Sequence, residues 1–344
     1  MTAPVTTAVK PIGVLGGGAF GTTLAHLTGS NNQQALLWMR NADRAAAIVR
    51  DRANERYLPG FKLSENIETT TSLAEVAERC QLILVAIPSS SFRTVVRDLG
   101  DHLRGDHVLV SATKGLERGT FARMTDVLRQ ETCCLKIGAI SGPNLAVEIL
   151  RGVPGGTVIA SAYEEVVRMV EKPLHSPRFR IYASHDLLGV ELSGAVKNVL
   201  AIAGGIARGM GFGDNTLAML ISRGLNEMTR LGAILGAAPE TFSGMAGVGD
   251  LVVTAFSELS RNHRVGRGLA KGKSVEQILE ELGQVAEGVP TARVVKEWSD
   301  AHGVRLPICQ GVYEVIYEGA KPAAALEKML SLPAMWEAKS TDIS

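Results

Sequence analysis

The sequence predicts an α/β fold with two domains, a doubly wound parallel sheet followed by an all-α domain. Short apolar segments of strand length alternate with helical patterns as far as Tyr182, which indicates a parallel sheet with crossover helices. From Leu187 onward the helical periodicity continues without a convincing strand. A chain of 344 residues is also long for one hydrophobic core. We therefore expect one domain over residues 1–188 and a second over residues 189–344.

The first strand, turn and helix carry a glycine pattern. An apolar strand over Ile12–Leu15 precedes Gly16-x-Gly18-x-x-Gly21, and a helical pattern follows. In such a loop the first glycine permits the turn, the second lets backbone approach a pyrophosphate, and the third lets helix and strand pack closely. The helix N-terminus then offers N–H groups to the phosphates. A glycine-rich turn without a ligand is the alternative, but this context favours a Rossmann-type dinucleotide site.

The second strand, over residues 35–39, ends at Arg40. Folds that bind NAD usually present an acidic residue here to the ribose hydroxyls, whereas an arginine attracts a 2′-phosphate. NADPH is therefore the expected cofactor, with NADH possible, unless Arg40 is only a solvated residue at the end of a strand. Tyr57, in the turn-rich loop that follows, could cover an adenine or simply pack.

The rest of the first domain repeats the same alternation. Helical patterns are predicted over residues 42–52, 72–78, 92–103 and 124–131, with Ser72 and Glu75 as a capping box. Further strands are predicted over residues 82–87, 108–112, 137–140, 157–160 and 179–182, with a helix between the last two. The strand over residues 82–87 is wholly apolar, which is typical of a central parallel strand. Ligands of such sheets bind at the carboxyl edge, where residues 16–21, Arg40, Pro88, Lys114 and Gly142 fall.

The second domain is predicted to be helical throughout. A long buried helix fits the apolar periodicity from Leu188 to Ile202, and glycine-rich breaks follow over residues 204–215 and 244–250. Further helices are expected over residues 216–235, 261–271, 274–282, 291–302, 308–317 and 323–330. The tail over residues 337–344 is expected to fray.

Composition excludes several classes of function. A net charge of +1 shows no excess of basic residues of the kind that binds nucleic acid. The four cysteines form no C-x-x-C pair, which is typical of a reduced, cytoplasmic protein. The first ten residues lack the apolar core of a signal peptide, and no apolar run approaches the length of a membrane span. The histidines show no metal-ligand spacing, so no metal is expected.

Lys197 is the candidate for acid–base chemistry. Its neighbours in the predicted helix are small or apolar on nearly every side. Burial lowers the pKa of an ammonium towards the working range, and such a lysine can protonate the oxygen of a carbonyl that is being reduced. The alternative is a lysine that extends from the edge of the helix to solvent.

Two further features could complete a site. Asp250 follows the second glycine-rich segment and could orient Lys197 or accept a substrate hydroxyl, or it could be a helix N-cap. Ser260 is the expected N-cap of the next helix, with Arg261 at its first position and Asn262 behind it. This arrangement suits a phosphorylated substrate, although an ordinary capped helix with an exposed arginine is the alternative.

Six motifs occur along the chain in a fixed order. They are G-x-GAFGT at 16–22, ATKGLE at 112–117, SGPNLA-x-E at 141–148, GAVKN at 194–198, GDLVVT at 249–254 and SRN at 260–262. Together they resemble the bacterial type of NAD(P)-dependent glycerol-3-phosphate dehydrogenase. The resemblance runs from about Ile12 to about Tyr317, with Asn144 where serine or threonine is frequent and Phe20 in place of Trp or Tyr.

The resemblance implies reversible reduction of dihydroxyacetone phosphate to sn-glycerol 3-phosphate, which feeds glycerophospholipid synthesis, by a cytoplasmic homodimer. It implies that Lys197 is the catalytic acid and base. The implied substrate-binding residues are Lys114, Gly142, Asn144, Lys197, Asp250, Ser260, Arg261 and Asn262. The implied cofactor contacts are Gly16, Gly18, Ala19, Phe20, Gly21, Arg40, Tyr57, Lys114, Ala146, Arg261, Val285 and Glu287.

Two rival hypotheses remain at this point. One is another two-domain dehydrogenase of the β-hydroxyacid type, such as a ketopantoate reductase or a 6-phosphogluconate-type enzyme. The phosphate-suited segment at Ser260–Asn262 argues against it. The other is a protein that senses NADPH without turnover, which would not need Lys197 in an apolar helix.

Overall fold

The computed structural model describes residues 10–330, so the tail over residues 337–344 lies outside the described residues. The strands of the first domain are β1 (Ile12–Leu15), β2 (Ala35–Trp38), β3 (Ile67–Thr70), β4 (Leu82–Val85), β5 (Val108–Ser111), β6 (Lys136–Ser141), β7 (Gly155–Ser161) and β8 (Phe179–Ser184). They form one sheet in the spatial order β3-β2-β1-β4-β5-β6-β7-β8. The doubly wound prediction is confirmed, and β4 is a central strand, parallel to both β1 and β5.

Short helices connect these strands and pack on the sheet. They are α1 (Ala19–Ser30), α2 (Ala42–Asp51), α3 (Leu73–Arg79), α4 (Ser89–Gly100), α5 (Met124–Glu131), α6 (Ala146–Leu150) and α7 (Glu164–Leu174). Two buried apolar clusters lie against the sheet, and each includes alternate residues of the central strands. This alternation explains why those strands are apolar along their whole length.

Two local features of the first domain differ from the sequence prediction. β3 was not predicted, because it lies at the edge of the sheet and contributes only one apolar residue, so it lacks the periodicity of a strand. Ser72 does cap α3, accepting from the Glu75 backbone N–H at 3.1 Å. The predicted capping box was wrong, because the Ser72 N–H donates to the Thr70 hydroxyl and the Glu75 carboxylate binds Thr70 and Arg79 instead.

β7 reverses the direction of the sheet. It pairs with β6 in antiparallel orientation, with Ser141 opposite Val158, whereas the other neighbouring strands are parallel. The connection over residues 142–154 contains one helix of only five residues, α6. Because β7 is antiparallel to β6, the start of β7 lies at the carboxyl edge of β6.

The second domain contains helices with no strand among residues 187–330. They are α8 (Leu187–Gly209), α9 (Asp214–Leu235), α10 (Pro239–Ser243), α11 (Asp250–Phe256), α12 (Arg261–Ala270), α13 (Val275–Leu282), α14 (Gly288–His302), α15 (Pro307–Tyr317) and α16 (Pro322–Leu330). The all-α prediction is confirmed. The boundary between residues 188 and 189 falls in the first turn of α8 and stays a prediction.

The first glycine-rich break does not begin where the sequence predicted. α8 continues through Gly204 and Gly205 to Gly209. A Cβ at Gly205 would lie 2.1 Å from the carbonyl oxygen of His263 in α12, and a Cβ at Gly266 would lie 2.1 Å from that of Ile202. These glycines allow the backbones of α8 and α12 to touch, so helix packing outweighs the low helix propensity of glycine.

The second predicted break is also helical. Residues Met245–Gly249 form one turn of π-helix that runs directly into α11. A Cβ at Gly247 would lie 2.1 Å from the Phe242 carbonyl oxygen, so the glycine permits this close turn. The glycines predicted a break because glycine has a low helix propensity, and propensity does not account for such close backbone contacts.

α8 lies at the centre of the α domain and is anchored on the first domain. It is the one helix among residues 10–330 that is long and apolar enough to cross a membrane, and 89% of its most apolar window is buried inside the protein. Its Glu191 carboxylate accepts the Thr125 N–H at the start of α5 at 2.9 Å. Burial raises the Glu191 pKa to about 7, although the positive charge of Arg123 opposes the shift. This contact fixes α8 relative to the sheet.

Candidate active site

The candidate site lies where the carboxyl edge of the sheet meets α8 and α11. Lys114 follows β5 and Gly142 follows β6, and these parallel strands end at the same edge. Lys197 projects from the middle of α8, and Asp250 is the first residue of α11. Four residues that the sequence singled out separately are thus brought together.

The Lys197 ammonium is buried, with 6% of the side chain exposed. Nζ donates to Asp250 Oδ1 at 2.8 Å and to the Thr254 hydroxyl at 2.5 Å. An ammonium has three N–H donors, so one is unused among the described residues. Burial lowers the Lys197 pKa to about 8, although Asp250 opposes the shift. The alternative of a lysine that extends to solvent is therefore wrong.

The Asp250 carboxylate lies between two lysines. Oδ1 accepts from Lys197, and Oδ2 accepts from Lys114 Nζ at 2.5 Å. Burial acts to raise the Asp250 pKa, but the two adjacent ammonium groups outweigh it and hold the pKa below its ordinary value. The carboxylate therefore stays ionised and orients both lysines. The N-cap alternative is wrong, because Asp250 is the first residue of α11 and Gly249 holds the N-cap position.

Thr254 was not predicted as a site residue. Its hydroxyl accepts from Lys197 and donates to the Asp250 carbonyl oxygen at 2.6 Å. Thr254 follows Asp250 by four residues, which places both on one face of a helix. That spacing is the signal that could have found it.

Lys114 joins the sheet edge to the helical domain. Its Nζ donates to the Gly142 carbonyl oxygen at 2.6 Å as well as to Asp250, and one N–H is unused among the described residues. Gly142 has φ +154°, and a Cβ there would lie 3.0 Å from the Thr157 Cα. Only glycine lets the chain pass this close and still present its carbonyl to Lys114. Asn144 follows and donates to the Thr157 hydroxyl at 2.8 Å.

The start of α12 has the predicted form. The Ser260 hydroxyl caps the helix by accepting the His263 N–H at 3.2 Å, and Arg261 is the first helical residue. The exposed Arg261 guanidinium reaches across to the Val285 carbonyl oxygen at 2.8 Å. A cation and a helix N-terminus therefore lie side by side, which suits a phosphate.

Asn262 is tied into the protein more closely than the sequence suggested. Its amide donates to Asn198 Oδ1 at 2.8 Å and accepts the Gly288 N–H at 2.9 Å. Asn198, which follows Lys197, donates in turn to the Lys114 carbonyl oxygen at 3.3 Å. The start of α12 is thereby linked to both lysines through neutral amides.

The glycine loop has the geometry of a dinucleotide site. Gly16 has φ +119°, and a Cβ there would lie 2.3 Å from the Ala86 carbonyl oxygen. Gly18 faces open space, since a Cβ there would have nothing within 4 Å, and the N-terminus of α1 carries no side-chain cap. Open space beside uncapped N–H groups fits a pyrophosphate. Asn54, which was not predicted, fixes the loop by donating to the Gly17 carbonyl oxygen at 3.0 Å.

The other predicted cofactor contacts lie around this edge. Arg40 is exposed just past β2 and has no ion pair among the described residues. Tyr57 is partly buried beneath the Arg56 guanidinium, which lies 5.5 Å from the ring centroid. Phe20 and Ala146 lie in the first turns of α1 and α6. Their contacts with a cofactor stay predictions.

The loop before α14 connects the two domains. The Glu287 carboxylate accepts the Ser89 N–H at 3.0 Å and the Ser89 hydroxyl at 2.5 Å, which caps the N-terminus of α4. Burial raises the Glu287 pKa, although these bonds and Arg261 oppose the shift. Val285, two residues earlier, is exposed. This loop therefore lies between the sheet edge and Arg261.

Comparisons with known proteins decide the family. Residues 11–167 match the model of the NAD-dependent glycerol-3-phosphate dehydrogenase N-terminus, and residues 186–327 match that of its C-terminus. The chain belongs to this dehydrogenase family. A glycerol-3-phosphate dehydrogenase [NAD(P)+] of Pseudomonas paraeruginosa is 47% identical over 93% of this chain and 94% of its own. Its counterpart in Teredinibacter turnerae is 45% identical over 90% of this chain and 91% of its own.

Solved structures of the family agree. The crystal structure of glycerol-3-phosphate dehydrogenase from Coxiella burnetii superimposes with a TM-score of 0.91 at 34% identity, covering 94% of this chain and 99% of that one. Membership of the glycerol-3-phosphate dehydrogenase family means that the chain is an enzyme that uses a nicotinamide cofactor and a small-molecule substrate. The two rival hypotheses, a ketopantoate-type reductase and a sensor without turnover, are therefore wrong.

Proposed function

We propose that this protein reversibly reduces dihydroxyacetone phosphate to sn-glycerol 3-phosphate, with NADPH preferred over NADH, and so supplies glycerophospholipid synthesis. The observation that carries the proposal is the buried Lys197 ammonium, held by Asp250 beside Lys114 at the same sheet edge as the glycine loop. Such a pair of ammonium donors stabilises the negative charge that develops on a ketone oxygen when hydride is delivered to its carbon.

The residues supply the proton and the orientation for this reaction. The reduced nicotinamide, when bound, supplies a hydride to the ketone carbon. The unused Lys197 N–H donates to the carbonyl oxygen and transfers its proton there, which leaves a neutral amine that regains a proton from solvent. With a pKa of about 8, Lys197 is charged at neutral pH and can still give up the proton. In the reverse direction the neutral amine accepts the hydroxyl proton.

The proposed substrate-binding residues around Lys197 contact two different parts of the substrate, its phosphate and its carbonyl oxygen. Arg261 and the start of α12 hold the phosphate through charge-assisted bonds, and Lys114 supports the carbonyl oxygen beside Lys197. The full proposed set is Lys114, Gly142, Asn144, Lys197, Asp250, Ser260, Arg261 and Asn262. Ser260 and Asn262 act through the helix terminus and the amide links described above.

The cofactor lies along the sheet edge. The glycine loop holds the pyrophosphate, and the exposed Arg40 guanidinium, free of any ion pair among residues 10–330, attracts the 2′-phosphate of NADPH. The proposed contacts are Gly16, Gly18, Ala19, Phe20, Gly21, Arg40, Tyr57, Lys114, Ala146, Arg261, Val285 and Glu287.

The absorbance of NADPH in the presence of dihydroxyacetone phosphate tests the activity. Wild type should oxidise NADPH only when the ketone is added. Lys197→Ala should lower kcat by about 10²–10⁴-fold with NADPH binding intact. Lys197→Arg should not restore activity, because a guanidinium does not release its proton near neutral pH. Wild-type rates of hydride transfer in Lys197→Ala, with loss in Lys114→Ala, would reverse the roles of the two lysines.

A homodimer in the cytoplasm completes the proposal. Three apolar residues on and after α11 are 40–46% exposed, which supports a protein contact there: Val252, Phe256 and Leu259. All four cysteines are free thiols, as in a reducing compartment. Light scattering of the purified protein should give twice the mass of 36.5 kDa, and a monomer at micromolar concentration would refute the dimer.

A further inference from the structure

The reversal of the sheet at β7 places Thr157 at the carboxyl edge. Thr157 precedes Val158, the residue that pairs with Ser141 at the end of β6. Were β7 parallel to β6, the start of β7 would lie at the opposite edge, a strand length away. Thr157 is fully buried beside Gly142, whose carbonyl accepts from Lys114.

The hydrogen bonds of Thr157 fix the orientation of the Asn144 side chain. The hydroxyl has one proton, and the Ser141 carbonyl oxygen, 3.1 Å away, can only accept. The Thr157 oxygen must therefore accept from Asn144, which leaves Nδ2 as the amide atom at 2.8 Å. The network thus determines which way the amide points, a choice that the sequence alone does not give.

The other end of this amide is an unsatisfied acceptor. Asn144 Oδ1 is buried and has no hydrogen-bond partner among the described residues. A buried carbonyl without a donor is costly, so a donor from a ligand is favoured there. Asn144 lies two residues beyond the carbonyl that accepts from Lys114, so the acceptor belongs to the segment that borders the lysine pair.

The chemistry of the substrate identifies the group that can donate a hydrogen bond to Asn144 Oδ1. The carbonyl and phosphate oxygens of dihydroxyacetone phosphate only accept hydrogen bonds, whereas its terminal hydroxyl can donate. We propose that Thr157 is a positioning residue, which holds Asn144 so that Oδ1 accepts from the terminal hydroxyl and selects hydroxylated ketone phosphates. This inference rests on the proposed function and adds the residue that sets its hydroxyl specificity.

Substrate selectivity tests the inference. The measurement is kcat/KM for dihydroxyacetone phosphate divided by that for hydroxyacetone phosphate, which lacks the terminal hydroxyl. If the analogue is not reduced, its inhibition constant is compared with KM instead. Thr157→Val should lower this ratio by roughly five- to tenfold, the effect of about one hydrogen bond, and Asn144→Ala should lower it as much. Thr157→Ser, which keeps the hydroxyl, should have a kcat/KM ratio close to that of wild type.

Ser161→Ala is the matched control, because Ser161 is a buried hydroxyl on the same strand that donates to the Ile137 carbonyl oxygen. It should leave the ratio unchanged. An unchanged ratio in both Thr157→Val and Asn144→Ala would overturn the inference, as would an equal fall in Ser161→Ala. Weaker NADPH binding with an unchanged ratio would instead assign Oδ1 to the cofactor and also overturn it. A wild type inactive with dihydroxyacetone phosphate would refute the proposed function itself.

Discussion

Replacing Asp250 by Asn tests how the site controls its proton donor. Asp250 is the counter-ion of both Lys197 and Lys114, at 2.8 and 2.5 Å. The amide keeps the size of the side chain and one acceptor but removes the negative charge. Lys197 then remains buried beside a second ammonium, and both effects favour its neutral form.

The expected size of the effect follows from the Lys197 pKa of about 8. Loss of an adjacent opposite charge lowers the pKa of a lysine by about 1–3 units. Taking the middle of that range, the charged fraction at pH 7.5 falls from about three-quarters to about 3%, so ketone reduction should slow about 25-fold. Because Lys197 must be protonated to donate, activity is lost as pH rises through its pKa, and that upper limb should move to lower pH by the same 1–3 units.

The assay is the pH dependence of kcat/KM for dihydroxyacetone phosphate between pH 5 and 10 at saturating NADPH. Asp214→Asn is the control, since Asp214 pairs with Arg208 near the C-terminus of α8, about three helical turns from Lys197, and its profile should match wild type. Thermal melting establishes that each variant is folded. An upper limb that stays within half a unit of wild type in folded Asp250→Asn would refute the assignment of that limb to Lys197.

Three other predictions follow from the structure. Arg40→Glu should reverse the proposed preference for NADPH over NADH in kcat/KM by repelling the 2′-phosphate, and an unchanged ratio would mean that Arg40 is only a solvated residue at the end of a strand. Arg261→Ala should raise KM for dihydroxyacetone phosphate by about 10–100-fold but affect unphosphorylated dihydroxyacetone much less, because a charge-assisted bond contributes about 1.5–3 kcal/mol; an equal loss for both ketones would contradict the phosphate role. Gly266→Ala should lower the free energy of unfolding in urea by more than about 2 kcal/mol, since its Cβ would overlap a carbonyl of α8, whereas Gly105→Ala, with nothing within 4 Å, should not.

The parts of the fold that depend on local periodicity could be predicted from the sequence. The wholly apolar β4 and the glycine loop were found because their signals lie within a few consecutive residues. β3 was missed because an edge strand needs few apolar residues. The course of α8 through Gly205 was missed because close packing against α12 decides it. The reversed direction of β7 was missed because the sequence of a strand does not show which way the neighbouring strand runs.

The candidate site divides in the same way. Lys197 and Asp250 could be selected because burying a charged residue in apolar surroundings costs free energy unless the charge is paired or used in function. Thr254 and Thr157 could not, because a threonine in a helix or strand is ordinary and its role depends on partners that are distant in sequence. The Asn198–Asn262 amide pair likewise joins residues 64 positions apart. Sequence motifs located the site, whereas the hydrogen bonds between its residues could be read only from the folded structure.

The main-chain contact between α8 and α12 has a consequence for the choice of substrate. With Gly205 against His263 and Gly266 against Ile202, neither helix can slide along the other without a clash of backbone atoms. Lys197 belongs to one helix and Arg261 begins the other, so the separation between proton donor and phosphate anchor is a fixed length. On the proposed roles this length acts as a ruler for the carbon chain. A ketone phosphate with one more carbon between its carbonyl and its phosphate would seat the phosphate and leave the carbonyl out of reach of the lysine.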